Sequence, residues 1–283
     1  LIQARPKQGQ SLEEVKEIIL AEVENLKKGN FDDDILKAIV NNFKLSQVEY
    51  LESSYGRTDS FVNCFINEVS WERFINQVDN ISKITKEDIV AYANEYFGDN
   101  YTVINKIQKK DPNELKIAKA AITPIFMNRD TSSAFLREIQ ASVVAPIEPV
   151  FVDFEKDMSI LTAKSNIPVL YKQNTTNDIF TLTYQFNIGN NEDKCLGTAT
   201  QYLDYLGTST MTPEQIKTAF YGLACSYGVY TSAEKTQVVV SGLGENMKEA
   251  ITLVESLLAD AQANPAALQG LATLGSSLLF LHL

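Results

Sequence analysis

The chain has 283 residues, of which 45% are hydrophobic and 22% are charged, a composition typical of a globular protein with one large domain or two ordinary ones. Its formal net charge of −11 disfavours nucleic acid and anionic membranes as partners, because both are polyanions. The only histidine is His282, which excludes a two-histidine zinc site or a histidine-dependent catalytic triad within this chain. Three cysteines are too few for a disulfide framework, so the redox compartment stays open.

The first 98 residues are predicted to be helical. Ser11 and Glu14 have the spacing of a capping box, in which each side chain bonds to the backbone amide of the other residue. Thr85 and Asp88 repeat this spacing before a later helix. Apolar residues then recur every three or four positions, which predicts one buried face on each helix. The predicted helices begin at Leu12, at the Asp32–Asp34 run, near Tyr55, near Trp71 and at Lys86.

A strand and a long connector are predicted next. Tyr101–Ile107 is rich in β-branched and aromatic residues, which indicates a strand. Residues 109–150 contain four of the eight prolines and begin with several lysines, which predicts a connector with one short helix around Ser133–Ile139. The lysines could hold an acidic partner, but a solvated linker is the favoured interpretation. The predicted domains are 1–108 and 151–283, joined by this linker.

From residue 151 the pattern changes to strands and amphipathic helices. Apolar and polar residues alternate over Ile179–Ile188, which predicts a strand with one buried face. Thr212 and Gln215 form a third capping box, with proline at the first helical position. This organisation predicts an α+β domain with a mostly antiparallel sheet covered by helices. Its other predicted elements are helices over Gly197–Leu206 and Asn246–Ala263 and a hairpin of Val229–Ser232 with Gln237–Leu243.

The composition of the C-terminal segment and the first residue of the chain each support a prediction. Residues 261–283 contain no Asp, Glu, Lys or Arg, but their apolar part is short for a membrane span. Residues 266–283 are either a buried helix or a product of where the polypeptide was cut, and the abrupt loss of the amphipathic pattern favours the second. The chain begins with Leu1 rather than Met, which suggests an internal piece of a longer polypeptide. The localisation stays open, and a signal peptide on the parent would direct it to the periplasm or another extracytoplasmic compartment.

The order of these elements resembles the pitrilysin/insulinase family of zinc metallopeptidases, called M16. In that family an alternating strand leads into a helix that carries His-x-x-Glu-His, and Gly-Thr, a capped helix, a hairpin and a long helix follow. In this chain the strand Ile179–Ile188, the helix Gly197–Leu206 and Gly207-Thr208 precede the capped helix and hairpin in the same order. The segment Ile84–Ile104 also resembles the end of the family's second domain. The resemblance covers about residues 1–265.

The resemblance implies that the zinc motif is lost from this chain. The first zinc histidine maps to Gln201, the general-base glutamate to Asp204 and the second histidine to Tyr205. Neither an amide nor a phenol replaces a neutral imidazole at a zinc site. The implied fold is two M16-type α/β-roll domains, the first incomplete, with no catalytic or metal-binding residue and no cofactor in this chain. Zinc would be held by a missing catalytic domain that precedes Leu1.

Three hypotheses for function remain. The favoured one is a non-catalytic portion of an M16-like zinc metalloendopeptidase that forms part of the wall of a peptide-enclosing chamber. Its partners would be the missing catalytic domain of the same polypeptide and a peptide substrate bound by the full-length protein. The alternative is a pseudoenzyme or partner subunit of the same fold that binds peptide or another subunit without cleaving. In the third, an unrelated binding protein, Gln201, Asp204 and Tyr205 are ordinary helix residues.

Overall fold

The chain divides into two compact units, Leu1–Thr102 with Asn174–Leu283 and, separately, Val103–Gln173. The predicted domain boundaries near residues 108 and 150 stay a prediction. A computed structural model describes residues 1–7, 9–107, 119–125, 127 and 130–271.

The first part of unit one is helical, and its capping boxes form as predicted. Ser11 Oγ accepts from the Glu14 amide at 3.1 Å, and Glu14 Oε2 accepts from the Ser11 amide at 2.6 Å. Thr85 and Asp88 make the same reciprocal pair at 3.1 and 2.9 Å. These bonds satisfy amides that have no partner within the helix, which fixes where each helix begins. The helices are α1 (Leu12–Lys27), α2 (Asp34–Glu52), α3 (Ser54–Ile66), α4 (Trp71–Ile75), α5 (Gln77–Ile81) and α6 (Lys86–Tyr96).

The strand predicted over Tyr101–Ile107 is wrong. Residues 101–107 form no strand, and within the described part of the chain no strand pairs with them. β-branched and aromatic residues favour a strand only where a neighbouring strand accepts the hydrogen bonds. The β-branched and aromatic composition of Tyr101–Ile107 therefore predicted a strand that does not form.

In the second unit, Val103–Gln173, the described residues form one α-helix and a two-stranded antiparallel sheet. The helix begins after Ser133, whose Oγ accepts from the Leu136 amide at 3.1 Å, and it confirms the short helix predicted there. In the sheet Ser159 lies opposite Tyr171. The elements are α7 (Ala134–Ala141), β1 (Ser159–Thr162), a 3₁₀ turn (Lys164–Asn166) and β2 (Pro168–Tyr171).

The remainder of unit one is a three-stranded antiparallel sheet with helices, which confirms the predicted α+β class. The strand order is β3-β5-β4, so the last strand of the hairpin lies at the centre. The register pairs Ile179 with Leu243 and Thr231 with Thr236. The elements are β3 (Ile179–Phe186), α8 (Leu196–Leu203), α9 (Pro213–Gly222), β4 (Cys225–Thr231), β5 (Thr236–Leu243), a 3₁₀ turn (Gly244–Asn246) and α10 (Met247–Ala259).

The main hydrophobic core lies between one face of this sheet and helices α9 and α10. Val238 and Val240 project from the central strand and alternate with more exposed residues. They pack against apolar side chains that recur every three or four residues on α9 and α10. Alternate residues of the strand and one face of each helix therefore form a single apolar layer. The fully or nearly fully buried members are Ile216, Phe220, Cys225, Val238, Val240, Ala250, Val254 and Leu257.

Helices α1–α6 bury far less apolar surface. Among the described residues up to 102, Ala38 and Ala93 are the only apolar side chains classed as buried. Helix α3 in particular leaves Tyr55, Phe65 and Ile66 between 67% and 85% exposed. The helical part is therefore held by polar contacts and shallow packing more than by a core of its own.

Some predictions fall on residues that the structure does not describe. The lysines 109, 110 and 116, the tail 272–283 and His282 lie outside the described residues. The described start of the tail, 265–271, is helical and follows Asn264, whose Oδ1 accepts from the Ala267 amide at 3.2 Å. Within the described ranges, no helix combines the length and apolarity that crossing a membrane requires.

Candidate functional site

The candidate site lies where β3 passes into α8. The connecting turn is anchored on the β4–β5 hairpin, because the Asn190 and Asn191 amides donate to the carbonyls of Ser232 and Ala233 at 2.9 Å. Gly189 is required at this approach, since a Cβ there would overlap the Ala233 carbonyl. The start of α8 is thus fixed against the end of the hairpin.

Helix α8 is shorter than the sequence predicts, and its end changes the geometry of the three candidate positions. Gln201 lies in the last turn, Asp204 is the C-cap residue and Tyr205 follows the helix. The Tyr205 amide donates to the Tyr202 carbonyl at 3.0 Å, three residues back, rather than to the carbonyl of Gln201. Gln201 and Tyr205 therefore do not stand one turn apart on a continuous α-helix.

The side chains at these positions point to solvent and engage neighbours other than one another. All three are exposed. The ring of Tyr205 lies 5.8 Å from the ammonium of Lys217, and its carbonyl accepts from Asn264 Nδ2 at 3.4 Å. No hydrogen bond joins the three side chains among the contacts of the described residues. The structure places them at and just after the end of α8 and does not assemble them into a cluster.

The nearest perturbed ionisable group is Tyr227 on β4. Burial of its ring, with a smaller contribution from the Asp204 carboxylate, raises its pKa to about 12. The phenol is therefore neutral around neutral pH and cannot act as an anionic ligand there. A carboxylate beside a neutral phenol is a poor centre for acid–base chemistry at pH 7.

Zinc, the metal that the resemblance implies for the family, does not fit these residues. The three positions offer an amide, one carboxylate and a phenol, of which only the carboxylate is an ordinary zinc ligand. Across the described ranges no cluster of three or more His, Cys, Asp or Glu side chains is placed to hold a metal ion.

A second feature, not foreseen from the sequence, is a groove of about 660 Å³ between α10 and the loop that follows α8. Asp260 fixes the loop, since its Oδ2 accepts from the Ser209 amide at 2.8 Å and from Ser209 Oγ at 2.5 Å. Gly207 also bridges to Gln262, and a Cβ on Gly207 would overlap the Met211 carbonyl. Ser209 and Asp260 are 51 positions apart in the sequence, so no local pattern predicted this pair.

No protein-family model matches this chain, and no curated protein sequence matches it significantly. Among solved structures, the peptidase M16 inactive domain from Pseudomonas fluorescens aligns with a TM-score of 0.35 and 17% identity, covering 39% of this chain and 28% of that one. The periplasmic protease PqqL from Escherichia coli aligns with a TM-score of 0.38 and 13% identity, over 90% of this chain and 31% of that one. The ferredoxin protease FusC, solved in complex with Arabidopsis ferredoxin, aligns with a TM-score of 0.36 and 10% identity, over 86% of this chain and 30% of that one.

These neighbours are M16 peptidase or M16-like protease structures, at low identity and low TM-score. The chain spans less than a third of the length of each of them.

Proposed function

We propose that this chain is a non-catalytic portion of an M16-like zinc metalloendopeptidase and forms part of the wall around an enclosed peptide. One observation carries the proposal. The strand β3 leads into a helix in the order that the sequence resemblance describes, and the resemblance maps the positions of the zinc motif to Gln201, Asp204 and Tyr205. A domain that only forms part of the wall would keep this strand and helix but would not need side chains that bind zinc.

The role of this chain would be enclosure rather than chemistry. A chamber selects substrates by size and by lack of folded structure, because only a flexible chain fits inside. The metal and the general base would come from the rest of the polypeptide. The sheet contributes a polar outer face, on which Gln185 and Gln237 are bonded at 3.2 Å and Ser226 and Ser241 lie 3.4 Å apart.

The test compares the full-length polypeptide with a version that lacks this chain. We expect the full-length protein to cleave unfolded peptides in a chelator-sensitive manner, and this chain alone to leave them intact. Deleting the chain should abolish cleavage of long peptides while the metal content of the remainder is unchanged. Cleavage by the purified chain, or full activity without it, would contradict the proposal.

A second candidate function is that of a non-cleaving partner subunit. It is favoured by the apolar side chains that α3 exposes, Tyr55, Phe65 and Ile66, because such a stripe is usually covered by another surface. The sequence that precedes Leu1 in the parent distinguishes the candidates. An intact His-x-x-Glu-His there supports the wall of an active peptidase, and its absence supports the partner subunit.

A further inference from the structure

Helix α3 buries its small residues and exposes its large apolar ones. Gly56 and Ser60, one turn apart, are the buried residues of this helix. The Ser60 hydroxyl donates to the Gly56 carbonyl at 2.7 Å, and a Cβ on Gly56 would overlap the Tyr50 carbonyl of α2. The two small residues therefore let α3 lie directly against α2, and the large side chains project from the other side.

Five apolar residues on the exposed side form a stripe along the helix, which we call the α3 stripe. They are Tyr55, Phe61, Val62, Phe65 and Ile66, and each is between 47% and 85% exposed. At about 100° per residue, they fall within about 140° of the helix surface. A surface helix normally turns such a stripe toward a core, and an exposed stripe of this kind marks an interaction site.

Aromatic stacking holds part of the stripe in place. The centroid of the Phe61 ring lies 4.3 Å from that of Trp71, and the centroid of Trp71 lies 5.1 Å from that of Phe74. A side chain that is already ordered loses less entropy when a partner covers it. Ordered aromatic side chains are also the residues that contribute most to the free energy of association in many interfaces.

The charges on α3 do not oppose burial of the stripe. The segment Ser54–Ile66 contains one arginine and one aspartate, so it is neutral on a chain whose net charge is −11. Arg57 Nη1 donates to the Leu51 carbonyl at 2.8 Å, and Asp59 Oδ2 accepts from the Tyr50 hydroxyl at 2.6 Å. Both charges are thus already hydrogen-bonded within this chain, and covering the stripe leaves neither without a partner. Two acidic copies can meet at this neutral surface with less repulsion than elsewhere.

The area of the stripe fits a second copy of this chain. An aromatic side chain carries about 150–250 Å² of surface, so the three rings of the stripe expose on the order of 400 Å². Two stripes packed against each other would bury about 800 Å² from the rings alone. The two aliphatic side chains and the surrounding rim bring the buried area to the roughly 1,000 Å² that a specific interface needs. Self-association therefore suffices to cover the stripe.

We propose that two copies of this chain form a dimer through the α3 stripe, related by a two-fold axis. Each stripe covers the other in such a pair, so the association closes at two copies. Phe65, the most exposed residue of the stripe, is the expected anchor. This inference rests on the second candidate function, because it names the partner of a non-cleaving subunit as a second copy.

Sedimentation of the whole chain over a series of concentrations tests the proposal with a matched pair of variants. The parent should pass from monomer to dimer as its concentration rises. Phe65→Ala should weaken the dimer at least about tenfold, because it removes the expected anchor. Phe135→Ala, which replaces a phenylalanine that is 73% exposed on α7, should leave the dimer unchanged. Higher ionic strength should strengthen the dimer, because salt screens the repulsion between acidic copies.

The fluorescence of Trp71 provides a second measurement that reports on the stripe itself. It is the only tryptophan of the chain and stacks on Phe61, so its surroundings become drier when the stripe is covered. Its emission should shift to shorter wavelength as the dimer forms, in the parent and in Phe135→Ala. In Phe65→Ala the shift should require at least about tenfold higher concentration. The parent alone gives this signal, so the test stands even if the Phe65 variant does not fold.

Several outcomes would overturn the proposal. A chain that stays monomeric at every concentration would show that another partner, or the rest of a longer polypeptide, covers the stripe. A dimer that Phe65→Ala does not weaken, or that forms without a change in Trp71 emission, would show that the copies meet elsewhere. Incubation with unfolded peptides separates this inference from the proposed function. Cleavage by the purified chain would contradict the non-catalytic role and leave the dimer standing, whereas a monomer that leaves peptides intact would contradict the dimer alone.

Discussion

At the residue scale, hydrogen bonds across long sequence separations fix the loops around the candidate site. Asp260 accepts from both the amide and the hydroxyl of Ser209 and so holds the loop between α8 and α9 against the end of α10. These bonds favour the charged carboxylate and hold the pKa of Asp260 below its ordinary value of 3.8. The stabilisation from this pair is therefore present above the ordinary value and is lost as the pH falls through the lowered one.

We predict that Asp260→Asn lowers the free energy of unfolding at pH 7, because the amide oxygen is a weaker acceptor than the carboxylate. The difference between the parent and the variant should shrink as the pH falls below 3.8, where the parent carboxylate also becomes protonated. Urea unfolding at a series of pH values measures both effects. Asp99→Asn, at an exposed position, is the control, and a difference that stayed constant down to low pH would contradict the assignment.

At the element scale, the helix starts at the capping boxes and the β4–β5 hairpin were predictable, whereas the pairing of β3 with β5 and the end of α8 were not. The boxes at Ser11, Thr85 and Thr212 form as predicted, because a capping box is complete within four residues. The end of α8 at Leu203 and the missing strand at Tyr101–Ile107 depend on contacts with distant segments. The assignment of the lost zinc motif to Gln201, Asp204 and Tyr205 stays a prediction, and the end of α8 before Asp204 was not foreseen from the sequence.

Helices α2 and α9 are joined by hydrogen bonds between residues far apart in the sequence. Asn42 Nδ2 donates to the Tyr221 carbonyl at 2.7 Å, and Asn41 Nδ2 donates to that of Gly222 at 3.1 Å. Asn246 Nδ2 donates to the next carbonyl, that of Leu223, at 2.7 Å. Three side-chain amides thus donate to successive carbonyls at the end of α9, where the Tyr221 carbonyl also accepts from the Ala224 amide at 3.0 Å.

We predict that Asn42→Ala lowers the free energy of unfolding by about 0.5–1.5 kcal/mol, because the bond between α2 and the Tyr221 carbonyl is lost and only the Ala224 amide, at 3.0 Å, still donates to that carbonyl. Equilibrium denaturation measures the loss, and hydrogen exchange should show faster opening at the end of α9. Lys37→Ala, at an exposed position on the same helix, should change stability little. Equal effects of the two substitutions would mean that the asparagine does not couple α2 to α9.

At the scale of the whole molecule, stability is concentrated in the sheet and in helices α9 and α10. Leu257 is fully buried in that core, whereas its neighbour Leu258 on the same helix is 43% exposed. Helices α1–α6 lack a comparable core, so they contribute mainly through their contacts with the rest of unit one.

The adjacent leucines give a matched pair for testing this distribution. Leu257→Ala should lower the free energy of unfolding by about 2–5 kcal/mol through lost burial and a residual cavity. Leu258→Ala should cost less than about 1 kcal/mol, because its side chain remains largely in water. Denaturant titration of both variants is the measurement, and similar losses would place the core elsewhere.

We propose that this chain keeps the frame of a zinc-peptidase domain with side chains that do not bind zinc. Native mass spectrometry after incubation with zinc and extensive dialysis tests it most directly. We predict a folded chain with no stoichiometric zinc, and Gln201→Ala and Tyr205→Ala should leave its metal content unchanged. One tightly held zinc ion per chain, lost when either residue is replaced, would contradict the claim.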